Sequence, residues 1–202
     1  MQKPNNYEAT QAAGEFTPIE LGGHYLVIKQ VEEMTNKNGK PMIKISFDTA
    51  DNDKQPHYFA DVFRSDIRPD KKWPNGGVSY MNTQDQDGNC SRTFKGFTTS
   101  VEKSNPGFSV VWGDGFAACF KNKLVGGTFR EELGVYNGKE THQRKLQWFC
   151  SNEKVADAAI PEVYETQEHK AWKENSNIAA NPAGTDWMDV DNAIGSEELP
   201  FD

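Results

Sequence analysis

Cysteine is scarce in this chain, and its spacing excludes two structural roles. Three cysteines occur in 202 residues, at Cys90, Cys119 and Cys150. Their number is odd and the intervals between them are long, so they form neither a disulfide framework nor the closely spaced pairs of a zinc knuckle. This usage favours a reducing compartment, and we expect a cytoplasmic protein.

Long apolar runs are also missing. No segment approaches the roughly 20 consecutive apolar residues that a membrane-spanning helix needs. Residues 1–6 lack the apolar stretch of a signal peptide. The sequence therefore predicts no membrane association.

Basic side chains are few in the last quarter of the chain. Residues 151–202 contain three Lys and no Arg against 12 Asp or Glu, a net charge of −9, whereas residues 16–150 contain 18 Lys or Arg against 16 acidic residues, a net charge of +2. The overall charge of −8 therefore hides a mildly basic body. A basic body beside an acidic extension indicates that the body binds a polyanion, which displaces the extension.

Apolar periodicity ends near Cys150, which suggests one domain followed by a tail. Residues 16–150 are long enough for one small domain. We expect residues 1–15 to be a flexible N-terminus. Residues 151–202 are predicted to be an acidic, mostly disordered tail that binds a partner, because they hold too little apolar surface to fold. A helix over residues 161–173 is the alternative for part of this tail.

Three strands are predicted in the first half of the domain. Residues 25–31 form an apolar run, and residues 42–47 alternate between apolar and polar side chains. Asn36–Gly39 between them is a hairpin signal, because Asn and Gly tolerate positive φ. Residues 58–64, rich in aromatic side chains, are predicted to form the third strand.

A long loop and a helix follow. Residues 66–89 are rich in Asp, Lys, Pro, Gly and Asn, with Val78–Met81 as an apolar patch, and long loops on small folds often carry function. Ser91 is suited to cap a helix whose apolar residues recur at spacings of three and four, and Asn105–Gly107 ends it. A shorter helical piece is predicted over residues 116–124.

Two further strands, over residues 128–136 and 145–150, complete the domain, with a turn at Asn137–Gly138. Five strands with a helix between the third and the fourth is the order of the OB-fold, a partly open Greek-key barrel that binds single strands or oligosaccharides. An SH3-like barrel or another small α+β sheet fits the same order. We therefore expect a mainly β protein: a five-stranded, OB-fold-like barrel with a helical insert between strands 3 and 4, plus a disordered acidic C-terminal tail.

Cations and aromatic side chains are interleaved along the body, as binding of a single strand requires. Cations follow the phosphates, and bases stack on aromatic rings for about 1–3 kcal/mol each. Five aromatic residues are expected in the core instead: Phe47, Phe94, Phe97, Phe120 and Trp148. The predicted nucleic-acid-binding residues are Lys29, Lys44, Tyr58, Arg64, Lys71, Lys72, Trp73, Arg92, Lys95, Arg130, Arg144 and Lys145.

The last six residues combine acidic and apolar side chains. A solubilising tail has no need of apolar residues, whereas a peptide that anchors in a basic-rimmed apolar pocket uses both. The predicted partner-binding residues are Glu197, Glu198, Leu199, Pro200, Phe201 and Asp202.

These six residues resemble the acidic, Pro-Phe-ending tail of bacterial single-stranded-DNA-binding proteins. Residues Arg92–Phe108 resemble a segment of proteins from the early replication modules of phages of Gram-positive bacteria, a group that includes single-stranded-DNA-binding proteins. The resemblance implies a protein that coats single-stranded DNA in phage replication and recombination, in the bacterial host cytoplasm, while the tip recruits replication or recombination proteins. The bacterial family usually ends on Phe, whereas Asp202 follows Phe201 here.

Signals for catalysis and metal binding are weak. Gly113–Ala118 matches a dinucleotide-binding pattern, but Asp114 would face the phosphates and no alternation of strands and helices precedes it. Asp85–Asn89 resembles the start of a calcium loop, but Gly96 stands at position twelve, where a Glu ligand is required. The four histidines show no ligand spacing. We therefore expect a binding protein without catalytic activity, cofactor or metal.

Two other functions fit the sequence. The first is an acidic phage accessory protein that binds or inhibits a host enzyme without contacting nucleic acid. The second is a dinucleotide-dependent enzyme built on Gly113–Ala118. A homo-oligomer is compatible with each of the three.

Overall fold

The computed structural model describes residues 2–5, 7 and 17–180, the last five of these by their backbone alone. The predicted tip Glu197–Asp202 and most of the predicted N-terminal segment lie outside the described residues. The strands are β1 (Gly22–Thr35), β2 (Pro41–Thr49), β3 (Val78–Asn82), β4 (Leu124–Tyr136), β5 (Lys139–Cys150) and β6 (Tyr164–Glu165). The α-helices are α1 (Tyr58–Ser65), α2 (Arg92–Ser104), α3 (Phe116–Cys119) and α4 (Gln167–Ala180).

The strands form one open, six-stranded sheet. Its order is β3-β2-β1-β4-β5 with antiparallel pairing, and the short β6 pairs with β4 in parallel. Within residues 17–180 no ladder joins β3 to β5, so the predicted barrel is not closed. The helix α2 follows the third strand and precedes the fourth, which confirms the predicted helical insert.

The predicted third strand at residues 58–64 is wrong, because this segment is the helix α1. Its apolar residues recur at helical spacing, and Phe59 is buried on the core side. The true third strand, β3, lies inside the segment predicted to be a long loop. β3 pairs with β2 through five residues, beginning with Val78 opposite Ser46.

Aromatic side chains fill the core between the sheet and the helices. Phe47 on β2 contacts the ring of Phe59 edge to face at 5.6 Å and that of Phe149 at 5.8 Å. Such pairs add about 0.5–1.5 kcal/mol each beyond the area they bury. Four of the five expected core aromatics are buried, whereas Trp148 is half exposed and was wrongly assigned to the core.

The helix α2 begins and ends as its sequence predicts. The Ser91 side chain accepts a hydrogen bond from the backbone N–H of Phe94 at 3.2 Å, which satisfies one free donor of the first turn. At the other end Asn105 donates to the carbonyl of Leu124 at 2.8 Å and accepts from its N–H at 3.0 Å. This pair of hydrogen bonds fixes the end of α2 to the start of β4.

The fold continues past Cys150, where the sequence predicted that the domain ends. Val155 is buried, and its side chain and backbone lie against Gly126 of β4 and Gly23 of β1. A Cβ atom on Gly23 would lie 2.2 Å from the carbonyl oxygen of Val155, so the close approach requires glycine there. Residues 151–175 therefore pack on the sheet, while residues 181–202 lie outside the described residues.

Histidines and carboxylates hold α4 beside the β4–β5 hairpin. The buried His169 of α4 contacts Glu140 Oε2 through Nε2 at 2.9 Å, and His142 contacts the other oxygen of Glu140 at 2.9 Å. These hydrogen bonds, from His169 first, lower the pKa of Glu140. The hydrogen bonds of His142 to Glu131 and Glu140 raise the pKa of His142.

None of the helices within residues 17–180 combines enough length with enough apolar character to cross a bilayer.

Candidate nucleic-acid interface

One face of β1, β2 and β3 points away from the core and is open to solvent. The pairing places its side chains in three cross-strand rows. We call this surface the three-strand face, and its rows are Met34–Met42–Asn82, Glu32–Lys44–Tyr80 and Gln30–Ser46–Val78. Successive residues of a strand point to opposite faces, so all nine side chains share this face. Gln30, Met34, Tyr80 and Asn82 are its exposed members.

The middle row carries the chemistry that a single strand requires. Tyr80 is 58% exposed and lies directly opposite Lys44, whose Nζ pairs with Glu32 at 3.0 Å. Residues directly opposite across antiparallel strands have Cβ atoms about 4.5–5.5 Å apart. An exposed ring thus lies beside a cation, which suits stacking of a base with a phosphate near the ammonium.

Sequence reasoning found Lys44 and missed Tyr80. Tyr80 belongs to the apolar patch Val78–Met81, which was assigned to a loop. The alternation of side chains along this patch could have identified Tyr80 as a surface residue, because it places Met81 and Tyr80 on opposite faces of the strand. Only the pairing of β3 with β2 shows that the ring adjoins Lys44.

Lys29 contacts a buried carboxylate of the protein itself. It lies in a β-bulge of β1, where the register shifts between Ile28 and Gln30. Its Nζ is 3.8 Å from Oδ2 of Asp48, a fully buried carboxylate. Because a buried carboxylate needs a counter-charge, Lys29 supports the fold at this position.

The loop Lys71–Trp73 is fixed against the core edge. The indole N–H of Trp73 lies 3.1 Å from the carbonyl of Phe47 and 3.2 Å from that of Gly77. The indole fills the position that a side chain at residue 77 would take, since a Cβ there would lie 2.7 Å from it. Trp73 therefore anchors the loop rather than offering a free stacking surface. Lys72 is exposed, and Lys71 lies 4.7 Å from the ring centroid of Phe63.

Tyr58 and Arg64 lie at the two ends of α1. The Tyr58 ring is half-buried and contacts Phe59 edge to face at 5.1 Å, and burial raises the pKa of its hydroxyl. Arg64 pairs with Asp61 one turn earlier, on the exposed side of the helix. Neither residue lies on the three-strand face.

Arg92 and Lys95 are exposed on the first turns of α2. No carboxylate among the described residues forms an ion pair with either of them, and the same is true of Lys72. These three are the predicted cations that stay most available to an anionic ligand.

The cations of the β4–β5 hairpin are engaged with the protein itself. Arg130 and Lys145 are directly opposite each other and share Glu132, at 3.5 Å and 2.5 Å. The guanidinium of Arg130 also lies 4.0 Å from the ring centroid of Tyr164 on β6. Arg144 donates to the carbonyl of Ile19. Arg130 and Arg144 therefore join the hairpin to neighbouring segments, while Lys145 pairs with Glu132 within the hairpin.

Two sequence motifs that resemble a dinucleotide site and a calcium loop form ordinary local structure instead. Gly113–Ala118 follows an irregular segment, not a strand, and leads into the four-residue α3, so it lacks the strand–turn–helix context of a dinucleotide site. The Asp85 carboxylate accepts hydrogen bonds from the N–H groups of Asp87 and Asn89 at 2.9 Å, which makes this segment a turn. No cluster of three or more metal-ligating side chains occurs in the part of the chain that the structure describes.

No protein-family model matches this chain, and no curated protein is significantly similar to it.

Proposed function

We infer that this chain binds single-stranded DNA with little sequence preference, across the three-strand face. The exposed Tyr80 ring beside Lys44 is the observation that carries this proposal. A base that stacks on an aromatic ring gains about 1–3 kcal/mol whatever its identity, because every base has a π-face. Binding of this kind is tolerant of sequence.

The order of the strands in the sheet supports the proposal, because it is compatible with an OB-fold-like architecture. The first three strands form a meander, and β4 then returns to the free side of β1. OB-folds bind oligonucleotides on the face of strands 2 and 3 and with the loops that join strands 1–2 and 4–5. In this chain those strands carry Lys44 and Tyr80. The first loop carries the exposed Lys37, and the strand ends that flank the second loop carry the exposed Lys139 and the 70% exposed Tyr136.

The acidic C-terminal part supplies the second half of the proposal. The net charge of −9 over residues 151–202 keeps this part away from phosphates, and its tip carries Leu199 and Phe201 among acids. We assign to this tip the recruitment of replication or recombination proteins to the coated strand, in a phage-infected bacterial cell. The proposed role is binding, and no catalytic step is assigned.

The ion pairs that several of the predicted binding cations form favour a second candidate function. Lys44, Arg64 and Lys145 each pair with a carboxylate, which lowers the positive field available to a polyanion. An acidic accessory protein that binds a host enzyme, and never binds nucleic acid, would need no free cations. A protein that fails to retain any oligonucleotide at low salt would favour this candidate.

The test is a titration of fluorescently labelled oligo-dT with the full chain, followed by anisotropy. Replacement Tyr80→Ala is expected to weaken binding by at least about fivefold, the lower end of the stacking range. Tyr7→Ala is the matched control, because Tyr7 is 62% exposed and lies outside the sheet. Its affinity should equal that of the unmodified chain.

Two outcomes would count against the proposal, and they differ. An unmodified chain that retains no oligo-dT in dilute buffer would exclude single-strand binding altogether. Binding that survives Tyr80→Ala unchanged would exclude the three-strand face and leave another surface to be found.

A further inference from the structure

An apolar groove with acidic side chains opens at the end of the core, beside the three-strand face. It is formed by the end of the β1–β2 hairpin, residues 83–90, the start of α2 and residues 112–116. Its volume is about 610 Å³, within the range of about 300–1,000 Å³ that is typical of ligand sites. Tyr80 and Lys44, which carry the nucleic-acid proposal, do not line this groove, although Met34 and Met42 of the three-strand face do.

Trp112 is the most distinctive residue of the groove. It is 68% exposed, yet its ring stacks on Phe116 with centroids 5.5 Å apart and planes at 19°. Its ring also meets Phe94 edge to face at 6.3 Å. The indole is therefore held in one orientation while most of it faces solvent. Fixed, exposed aromatic rings are the side chains that dominate protein-binding surfaces.

Two methionines also line the groove. Met34 is 41% exposed, and Met42 lies directly opposite it on β2. Methionine is unbranched and polarisable, so a methionine lining adapts to apolar side chains of different shapes. Together with Trp112, these residues create an exposed apolar patch next to a cavity, which in a soluble domain indicates an interaction site.

The charges of the groove select its occupant. Glu33 and Asp114 line it, and neither forms an ion pair with another described residue. No lysine or arginine is among the described residues that line it. Unpaired carboxylates repel phosphates, so the groove does not suit a polynucleotide. They also repel the acidic part of this chain beyond residue 150, with its net charge of −9.

We propose that this groove binds a cationic amphipathic segment of a partner protein. Apolar side chains of the segment fill the cavity that Trp112 and the two methionines line, and its lysines or arginines meet Glu33 and Asp114. The site adjoins the three-strand face and shares Met34 and Met42 with its outermost row, whereas Tyr80 and Lys44 do not line it.

The probe is a labelled synthetic amphipathic peptide of Leu and Lys, titrated into the full chain and followed by anisotropy. The matched peptide replaces each Lys by Glu and keeps the apolar residues. The cationic peptide is expected to bind at least about tenfold more tightly than the anionic one. Equal binding of the two peptides would overturn the proposal, because charge selection is its central claim.

Two sets of variants locate the binding. Trp112→Ser, and separately Glu33→Gln with Asp114→Asn, are each expected to weaken binding of the cationic peptide by about tenfold or more. The matched controls are Trp148→Ser, at a half-exposed tryptophan outside the groove, and Glu153→Gln with Asp157→Asn, an equal charge change elsewhere. Met34→Gln, at another exposed position, repeats the test should Trp112→Ser not fold. Equal losses in the controls would overturn the assignment to this groove.

Other occupants give different results, and each of them would also overturn the proposal. A synthetic peptide of residues 197–202 that displaces the cationic peptide would make the chain's own tip the occupant. A fall in molar mass of the unliganded chain after Trp112→Ser, measured by sedimentation, would make a second copy the occupant.

Discussion

Asp48 caps the helix α1 from a strand that precedes it by nine residues. Its Oδ1 accepts a hydrogen bond from the backbone N–H of Phe59 at 2.9 Å, in the first turn of α1. The same oxygen accepts from the N–H of Ala60 at 3.2 Å, whereas His57, at the cap position itself, provides no side-chain hydrogen bond. The carboxylate is fully buried, so the start of α1 depends on β2.

Asp48→Ala is therefore expected to lower the free energy of unfolding by about 2–4 kcal/mol. The estimate combines a lost N-terminal cap of about 0.5–2 kcal/mol with the loss of further hydrogen bonds to a charged acceptor. Urea denaturation measures this loss. Asp51→Ala is the control, because the side chain of Asp51 is 91% exposed, and it should change stability by less than about 0.5 kcal/mol. Equal effects of the two changes would contradict the capping role.

The second prediction concerns the buried carboxylate of Asp53. Burial alone would raise its pKa, but hydrogen bonds from His24 and from the N–H groups of Gln55 and Tyr25 outweigh burial, and its pKa lies below the ordinary 3.8. A carboxylate with a depressed folded pKa stabilises the fold fully above its unfolded pKa. This contribution is lost as the pH falls through the folded value.

Asp53→Asn removes this pH dependence. Near neutral pH it should cost about 1–3 kcal/mol, because a charged acceptor is replaced by a neutral one. Below the ordinary pKa of 3.8 the two curves of stability against pH should converge. Urea denaturation over this range measures the difference. A constant gap between the two proteins down to strong acid would show that Asp53 does not titrate with folding.

The third prediction uses two glycines with opposite surroundings. Gly23→Ala places a Cβ 2.2 Å from the carbonyl oxygen of Val155, so the segment that follows β5 must move off the sheet. Gly96→Ala, in the exposed middle of α2, meets nothing within 4 Å and should stabilise the protein by up to about 1 kcal/mol. Limited proteolysis should cleave between residues 151 and 165 faster in the first variant alone. Equal cleavage of both variants would contradict the packing of this segment.

The fourth prediction concerns how the affinity for oligo-dT depends on the salt concentration. If Lys37 contacts a phosphate, Lys37→Gln should reduce the slope of log affinity for oligo-dT against log salt by about 0.7, the value expected for one contact with a single strand. Lys121→Gln is the control, since Lys121 is also exposed but lies on the helical side of the domain, just after α3. An equal change of slope in both variants would contradict a specific contact between Lys37 and the DNA.

Elements whose signals are local could be predicted from the sequence. An apolar run predicted β1, alternation predicted β2, and the Ser91 cap with its apolar spacing predicted α2. α1 was read as a strand because its cap is Asp48, and that contact depends on tertiary folding. Local sequence does not contain this information.

The candidate site shows the same limit. The positions of cations could be predicted, but not which of them pair: Lys44 with Glu32 and Lys145 with Glu132 are cross-strand contacts at separations of 12 and 13 residues. The packing of Val155 and of β6 on the sheet could not be predicted for a related reason, since one buried valine and a two-residue strand give no periodic signal.

The short strand β6 has a consequence for aggregation. β4 extends beyond the end of β1, and β6 pairs with it there, at Glu132 and Leu133. A chain cut at Cys150 would expose these backbone groups along an unprotected edge, which is a template for pairing between molecules. Truncated protein prepared in this way should form sheet-mediated aggregates, so a minimal soluble version has to retain the residues through α4.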